Sequence, residues 1–442
     1  MGRQRIVRMA LAAGVTVLAL LILLVTRGGG GDPEPKPPEP TKSAPASTGP
    51  GTRLSAPGAY DPARGWELTG ISPGYAVDHA TGQIAYLERA GDTTGIRYRL
   101  RTVDAATGAP RWTGGEWRPL GDPDDVPRLL TLAKDDRPYF VTWSYGTLAG
   151  DPPAPASSLV SLDVYDAVNG ARRRVEVPWP AAPTVTATGP AVVISDSRAT
   201  SALVAPDTGA VTTVPPAALG YPRGCADCRR LTEVHGATPK GLLVGGARGF
   251  WVRGGWASRD RAPSGADPAG GVPTSLTPGH VVARWQQRKG AGRAATHDVW
   301  AVHDVRTGTP LVRVECRKPA IEPGEYPRAV VSPGGRYLIA GNLAFDLGAR
   351  TGRCFEQPDG THRLTLVTVT DDGLAYGASG ARGAADALDG GGDPVVVDLA
   401  TGVPERLAPQ VRLPEAEAAG VGLFRWTDPR DRLHLIAYAK RG

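Results

Sequence analysis

The chain has 442 residues, and its 58 glycines and 42 prolines are too many for a protein built from long helices. Hydrophobic residues make up 41% of the sequence, which is enough for a buried core and excludes a wholly disordered chain. The net charge of +6 comes mostly from the first 55 residues. The remainder has 43 basic and 41 acidic residues, a balance that argues against a nucleic-acid partner.

The first predicted element is a membrane-spanning helix. Residues 9–26 are uncharged, and as a helix they would extend ~27 Å, close to the thickness of a bilayer's hydrocarbon core. Three arginines in residues 1–8, against Arg27 alone on the other side, predict a cytoplasmic stub and an extracellular remainder. A cleaved signal peptide is the alternative, but its apolar core would be shorter and a small-residue cleavage site would follow. We therefore predict a single-pass signal anchor in the cell membrane.

Residues 27–60 form a predicted extracellular linker. Four glycines at 28–31 precede a proline-rich stretch at 33–40. This composition cannot bury a core, so we expect a disordered, extended segment. The glycines are interpreted as a hinge, since no Gly-Lys-Ser/Thr phosphate loop follows them. The linker would hold the following domain, residues 61–442, away from the membrane.

A short phrase recurs through that domain: an apolar strand, Asp, a few loosely specified residues, Thr or Asn before Gly, and another strand. Aspartate can hydrogen-bond the backbone of its own turn, and glycine can adopt the positive φ that closes it, so each phrase predicts a β-hairpin. The aspartate and glycine of the predicted turns are Asp104 and Gly108, Asp166 and Gly170, Asp207 and Gly209, Asp304 and Gly308, Asp346 and Gly352, and Asp398 and Gly402.

The spacing of these turns predicts a repeat fold. Most turn aspartates lie 41 to 62 residues apart, but 97 residues separate Asp207 from Asp304. Strand-like segments at 241–245 and 250–252 indicate a degenerate unit in that gap, which gives seven units of about fifty residues. Four strands per unit predict an all-β β-propeller with seven blades, with six or eight also open. Tail strands at 421–426 and 433–438 would pair with the first blade and close the ring.

Four cysteines in an exported domain predict up to two disulfides, with three possible pairings. Cys316 and Cys354 each follow a turn phrase, so a bond between them would link adjacent units. Cys225 and Cys228 lie in a loop with no helix pattern after them, which favours a local structural disulfide over a redox-active one. A zinc site would need a second ligand pair at matching spacing, and none stands out.

The turn phrase, followed within a few residues by an aromatic such as Trp112, resembles the repeats of pyrroloquinoline-quinone-type (quinoprotein-like) β-propellers. The resemblance covers roughly residues 66–440, and the anchored arrangement is similar to envelope propellers of high-GC Gram-positive bacteria. The resemblance to these propellers implies a fold more than an activity. Enzymes of that family carry an adjacent-cysteine disulfide, calcium ligands and a catalytic aspartate. No Cys-Cys pair exists here, so the resemblance is closer to the non-catalytic members, and no cofactor is assigned.

The other candidate sites are weaker. The seven histidines show no close metal-ligand spacing, and the acidic loop at 386–393 lacks the spacing of a calcium-binding EF-hand. The arginine run at 172–174 is interpreted as part of a solvated strand or loop. Five tryptophans could line a sugar or peptide groove or pack between blades; these are Trp143, Trp251, Trp256, Trp285 and Trp300.

We therefore predict a membrane-anchored extracellular propeller that acts as a non-catalytic binding or scaffold module for a protein or glycan. The ligand would bind a ring face, where the loops at 114–130, 146–158 and 255–280 are the candidates. The main alternative is an envelope enzyme, a hydrolase or a quinone-dependent dehydrogenase, with its site at the channel mouth. A third hypothesis is a sensor that acts through a partner protein. No catalytic, cofactor-binding or metal-binding residue is assigned.

Overall fold

The computed structural model describes residues 49–442, with gaps at 92–94, 122–125, 149–156, 197–198, 226, 291, 320–323 and 357–362. The predicted signal anchor at 9–26 and most of the predicted linker lie outside the described residues. Within the part that is described, no helix has the length and apolar character needed to cross a membrane.

The described strands form eight antiparallel sheets, the blades of a β-propeller. The first strand, β1 (Tyr60–Thr69), belongs to the last blade. Blades 1 to 3 follow in chain order, with four strands each: β2 (Tyr75–Asp78), β3 (Gln83–Ala90), β4 (Arg97–Asp104) and β5 (Pro110–Thr113); β6 (Arg128–Lys134), β7 (Arg137–Leu148), β8 (Ser157–Asp166) and β9 (Arg172–Pro178); β10 (Thr184–Thr186), β11 (Val192–Ser195), β12 (Ser201–Val204) and β13 (Val211–Val214).

Blade 4 has three described strands, β14 (Glu233–Thr238), β15 (Gly241–Gly246) and β16 (Gly249–Val252). Blades 5 to 7 have four each: β17 (Ala266–Leu276), β18 (His280–Gln287), β19 (His297–Asp304) and β20 (Pro310–Arg317); β21 (Val330–Val331), β22 (Tyr337–Ala340), β23 (Leu343–Asp346) and β24 (Thr351–Cys354); β25 (Leu364–Val369), β26 (Leu374–Ser379), β27 (Asp393–Asp398) and β28 (Val403–Arg406).

Blade 8 combines the two ends of the described chain, in the order β1, β31 (Leu433–Lys440), β30 (Val421–Thr427), β29 (Ala416–Ala418). The described helices are short: three 3-10 turns at Pro216–Ala218, Asp227–Arg229 and Ser258–Asp260, and α1 (Ala384–Leu388).

Sequence pattern explains which strands lie inside a blade. Strand β3 reads Ile-Ala-Tyr-Leu at its centre, and all four side chains are buried, as expected for a strand covered on both faces. The outer strand β9 instead alternates, with Val175 and Val177 buried and Glu176 exposed between them.

The core consists of eight hydrophobic clusters, each of which combines residues of two neighbouring blades. One joins Trp66 and Leu435 of blade 8 to Ile84 and Val103 of blade 1. Because the clusters link every blade to the next, including the last to the first, the described sheets form a closed ring.

Pairing between β1 and β31 closes the ring, with Trp66 opposite Ala437. The Tyr60 hydroxyl donates to Glu417 Oε2 at 3.1 Å. Lys440 Nζ lies 3.2 Å from the same oxygen and 2.9 Å from Asp372 Oδ1 of blade 7. Burial raises the pKa of Glu417, and Lys440 opposes that shift. These groups tie both chain ends to the neighbouring blade.

The prediction of a β-propeller is confirmed, but the prediction of seven blades is wrong: there are eight. The turn phrase lies between the third and fourth strands of a blade, as between β4 and β5. In blade 8 those two strands are β31 and β1, which come from opposite ends of the chain, so no turn can join them. Counting turns therefore misses this blade. The tail strands also build their own blade with β1 instead of extending the first.

A repeated contact, the turn lock, joins the outer strand of one blade to the turn of the next. In blade 1, the Trp112 indole Nε1 donates to Ala167 O of blade 2 at 2.9 Å. Its ring lies so close to Gly170 that a Cβ there would be 2.8 Å away, and φ at Gly170 is +72°. Both the nearby tryptophan ring and the positive φ therefore require glycine at position 170. Trp66 makes the same bond to Ala105 O.

The described chain contacts the propeller before β1 begins. Thr52 donates through its backbone N to Glu67 Oε2 at 2.7 Å, and its carbonyl accepts from the Tyr438 hydroxyl at 2.9 Å. Arg412 N donates to Ser55 O at 2.8 Å. Residues 52–55, which fall in the predicted linker, thus lie against blades 7 and 8.

Candidate functional site

Blade 4 departs from the pattern of the other described blades. After β16 the chain turns at Gly254 and Gly255, and the only remaining pairing there is an isolated bridge between Trp251 and Ala257. This stretch lacks the turn phrase, so nothing directs a regular fourth strand. Trp256 instead forms the turn lock with blade 5, donating to Val305 O at 3.1 Å.

An open cavity of about 780 Å³ lies beside this irregular stretch; we call it the blade 4 cavity. Its walls come from four places in the sequence. Three of them are the loop that carries Arg223, the β14–β15 turn with Lys240, and the blade 5 turn with Arg306. Residues 254–261 supply the remaining wall. These segments together form a concave site between blades 4 and 5.

The cavity is strongly cationic. Five basic residues line it against one acidic residue, Asp260. The basic residues are Arg223, Lys240, Arg259, Arg261 and Arg306. Each is exposed, and none forms an ion pair within the described residues. Cations that converge on a concave surface without counter-charges produce a positive potential that attracts anions.

Arginines elsewhere in the described chain are often neutralised, which makes the cavity distinct. The run at 172–174 lies on β9, where Arg172 Nε and Arg174 Nη2 lie 2.8 and 3.2 Å from the buried carboxylate of Asp163. Arg173 donates to Thr208 O of blade 3 at 2.7 Å. The run is therefore committed to contacts within the ring.

A disulfide-bonded loop forms one wall of the blade 4 cavity. Cys225 and Cys228 are bonded, with Cα atoms 5.4 Å apart, and Cys228 is buried in the cluster between blades 3 and 4. Arg259 Nη1 donates to Arg223 O at 3.1 Å, which connects this loop to the opposite wall. The local disulfide predicted from the sequence is confirmed, and it restrains a wall of the cavity.

The floor beneath the cavity is aromatic and neutral. Trp256 stacks on His303 with ring centroids 5.9 Å apart. His303 is fully buried, and its Nδ1 bonds Gly308 O at 2.9 Å. Burial lowers the pKa of His303 to about 4. The imidazole is therefore uncharged at neutral pH and supports Trp256 as a packing group.

We expect acid to destabilise the ring through this histidine. The unfolded chain protonates it near pH 6.5 and the folded chain only near pH 4, so between these values the unfolded state binds the extra proton. The free energy of unfolding should fall by up to about 3 kcal/mol as the pH drops through that window, and be constant above it. His303→Asn, whose amide can donate to Gly308 O, should make the dependence shallower, and the part that remains comes from other buried histidines such as His235, whose pKa burial also lowers. Urea titrations from pH 7.5 to 4.5 would measure both slopes, and equal slopes would contradict the assignment.

The second predicted disulfide, Cys316–Cys354, joins the outer strands of blades 5 and 6. Glu356 lies beside it, with one ligand atom from each of the three residues within 4.8 Å of the others. A metal would require the two thiolates, and here the sulfurs are bonded to each other. The pair therefore acts as a covalent link between blades.

Replacing both Cys316 and Cys354 with alanine should lower the free energy of unfolding by about 4 kcal/mol, since the bond closes a loop with a sequence separation of 38. Removing the Cys225–Cys228 pair, with a separation of 3, should cost about half as much. Urea unfolding of the non-reduced proteins gives both values, and a larger loss for the short loop would contradict this ranking.

The predicted turn residues occupy hairpins between third and fourth strands. Gly108 N donates to Asp104 O at 2.8 Å, and Asp104 Oδ1 accepts from Thr107 N at 2.9 Å. The same backbone bond closes the turns at Asp166 and Gly170, Asp304 and Gly308, and Asp398 and Gly402.

Two of the predicted turns differ in detail. In blade 3, Ala205 O accepts from Gly209 N at 2.8 Å, while Asp207 Oδ1 accepts from Lys134 of blade 2 at 2.7 Å. In blade 6, the positive φ belongs to Arg350, at +57°, and Gly352 already lies in β24. Asp346 Oδ1 still accepts within the turn, from Ala349 N at 2.9 Å.

The other sequence candidates are distributed through the structure. Trp251, Trp256 and Trp285 are buried between blades, whereas Trp143 and Trp300 are partly buried. Most of the acidic loop at 386–393 lies in or beside α1, where Asp386 pairs with Arg382 at 3.0 Å.

Of the three candidate ligand loops, parts of the first two lie outside the described residues, at 122–125 and 149–156. The third, 255–280, supplies a cavity wall at 255–261 and then continues as β17.

No family model and no curated protein sequence matches the chain. Similar solved structures include the computationally designed Ika8 protein, 14% identical, covering 88% of this chain and 96% of that one, with a TM-score of 0.41. Another is the dihydro-heme d1 dehydrogenase NirN in complex with DHE, 14% identical, covering 76% and 66%, with a TM-score of 0.38. A third is the Cps50 (Swd1) β-propeller domain of Myceliophteria thermophila, 10% identical, covering 92% and 100%, with a TM-score of 0.37. We draw nothing about activity from these likenesses.

Proposed function

We propose that this protein is a non-catalytic binding module, held outside the cell membrane by residues 9–26, that recognises an anionic partner in the blade 4 cavity. The observation that carries the proposal is a concave site with five cations, one carboxylate and no ion pair among the described residues. Such a site attracts anions. The turn phrases and turn locks support kinship with non-catalytic members of the quinoprotein-like propellers.

The enzyme alternative has less support. Glu415 and Glu417 are half-buried or buried acids whose pKa values are raised by burial, as catalytic acids often are. Each is already engaged, Glu417 by Tyr60 and Lys440 and Glu415 by Arg425 at 3.7 Å. These contacts lie within blade 8 and give both carboxylates a structural role.

The placement outside the membrane is tested on intact cells. A peptide tag after Gly442 should be cut by an added protease that cannot cross the membrane, while a cytoplasmic marker stays intact. A tag that is protected until the cells are lysed would contradict an extracellular propeller.

The binding role is tested with the full chain in neutral detergent, immobilised through that tag and exposed to solubilised cell-envelope material. We expect retention of phosphate- or uronate-containing material that is released by salt. The variant Lys240→Ala/Arg261→Ala/Arg306→Ala removes three cations whose side chains form no hydrogen bond or ion pair within the described residues, and it should retain several-fold less. Arg64→Ala/Lys289→Ala/Arg406→Ala changes the net charge equally at exposed positions outside the cavity. Equal loss in both variants would overturn the cavity as the site.

A further inference from the structure

The shape of the blade 4 cavity restricts the ligand. A volume of about 780 Å³ lies within the range of pockets that enclose small molecules or short segments of a chain. A folded protein partner would instead need a contact area of about 800 Å² on its own surface, most of it outside this concavity. The cavity therefore fits a narrow ligand that enters it.

The charges favour a ligand with several anionic groups. Arg223 and Lys240 lie on one side of blade 4, in the loop before β14 and in the β14–β15 turn, whereas Arg306 belongs to blade 5. Arg259 and Arg261 come from the wall between them. A chain with anions on neighbouring units can contact cations on all these elements at once, and it can use more of the five than a single small anion can.

One acceptor lies among these donors. The Asp260 side chain forms no hydrogen bond or ion pair within the described residues, and the residue is exposed in the cavity. A carboxylate accepts hydrogen bonds from hydroxyl groups and repels anions. Its presence beside five cations favours a ligand that alternates hydroxyl and anionic groups over one that is anionic throughout.

We propose that the blade 4 cavity binds a segment of an acidic glycan, a hydroxyl-rich chain that carries phosphate or carboxylate groups on neighbouring units. This inference rests on the proposed binding function and narrows it to one ligand class. An acidic peptide supplies the charges but lacks the hydroxyl groups that would occupy Asp260.

Isothermal titration calorimetry of the full chain in neutral detergent tests the ligand class with four probes. The acidic glycans are trigalacturonate, which carries carboxylates, and a trimer of glycerol phosphate, which carries phosphates. The others are neutral maltotriose and hexaglutamate. We expect at least one acidic glycan to bind at least tenfold more tightly than hexaglutamate and maltotriose. The tighter of the two acidic glycans identifies the anionic group.

Two variants locate the binding. Lys240→Ala/Arg261→Ala/Arg306→Ala should weaken the binding of the acidic glycan at least tenfold. Arg64→Ala/Lys289→Ala/Arg406→Ala should bind it like wild type. Asp260→Asn keeps a hydrogen-bond acceptor but removes the repulsion of anions. It should therefore strengthen the binding of hexaglutamate more than the binding of the acidic glycan. The proposal is overturned if hexaglutamate binds wild type as tightly as both glycans, if neither glycan binds, or if the cavity variant binds like wild type. The two proposals can also fail separately. If the cavity variant fails to retain envelope material that wild type retains, and neither glycan binds, the proposed binding function stands and the acidic glycan is rejected as its ligand.

Discussion

A chain that begins at residue 71, just after β1, is expected to lose its cooperative unfolding transition and to aggregate. It lacks the outer strand of blade 8 and two large buried side chains, Tyr60 and Trp66. Each would cost about 3–5 kcal/mol if truncated alone, and a whole domain is stable by only about 5–15 kcal/mol. The loss also leaves β31 as an unpaired edge. Circular dichroism on heating, with size-exclusion chromatography, measures both consequences.

The matched control begins at residue 49 and keeps every described contact of blade 8, including those of Thr52. We expect it to be monomeric, rich in β-structure and cooperative in unfolding. A start at residue 54 should fold but be less stable, because it loses the bonds between Thr52 and Glu67. A folded, monomeric chain starting at 71 would show that β1 does not close the ring.

Trp112→Ala is expected to lower the free energy of unfolding by about 3–5 kcal/mol, as truncation of a buried tryptophan does. Its side chain is 6% exposed, packs against Phe140 and Tyr165 of blade 2 and forms the turn lock with Ala167 O. The change therefore removes packing and a hydrogen bond from the contact between blades 1 and 2. Urea unfolding monitored by circular dichroism gives the difference directly.

Trp112→Phe separates the two contributions, because it keeps most of the ring but removes the indole donor. It should cost about 1–2 kcal/mol. Gly170→Ala, in which a Cβ would meet the same ring 2.8 Å away, should also destabilise through the next blade. A cost below 1 kcal/mol for Trp112→Ala would mean that the turn lock contributes little.

The sequence predicts the repeat well because its turns depend on local chemistry. An aspartate that accepts from the backbone three residues later, followed by glycine at positive φ, needs no distant partner to be recognised. The degenerate unit predicted between Asp207 and Asp304 is also confirmed, since its strands at 241–245 and 250–252 lie in β15 and β16.

The number of blades and the cavity depend on distant residues, and local patterns do not contain them. Blade 8 pairs strands from opposite ends of the described chain. The cavity brings Arg223 together with Arg306 through the packing of blades 4 and 5, which no spacing rule reveals. The sequence signal that could have located the cavity is an absence: no turn phrase occurs where blade 4 has no regular fourth strand. The loop at 255–280, which is predicted from the sequence as a ligand loop, begins at this point.

The pairing of β1 with β31 also constrains how the chain is made. A ribosome works from the N-terminus, so β1 emerges before the other strands of the ring, and its partner emerges only after the seven intervening blades: Tyr60 pairs with Lys440. Throughout that interval the nascent ring has two open sheet edges that neighbouring chains can join. The duration of synthesis, and not the speed of forming any one hairpin, therefore sets how long the newborn protein needs protection from association.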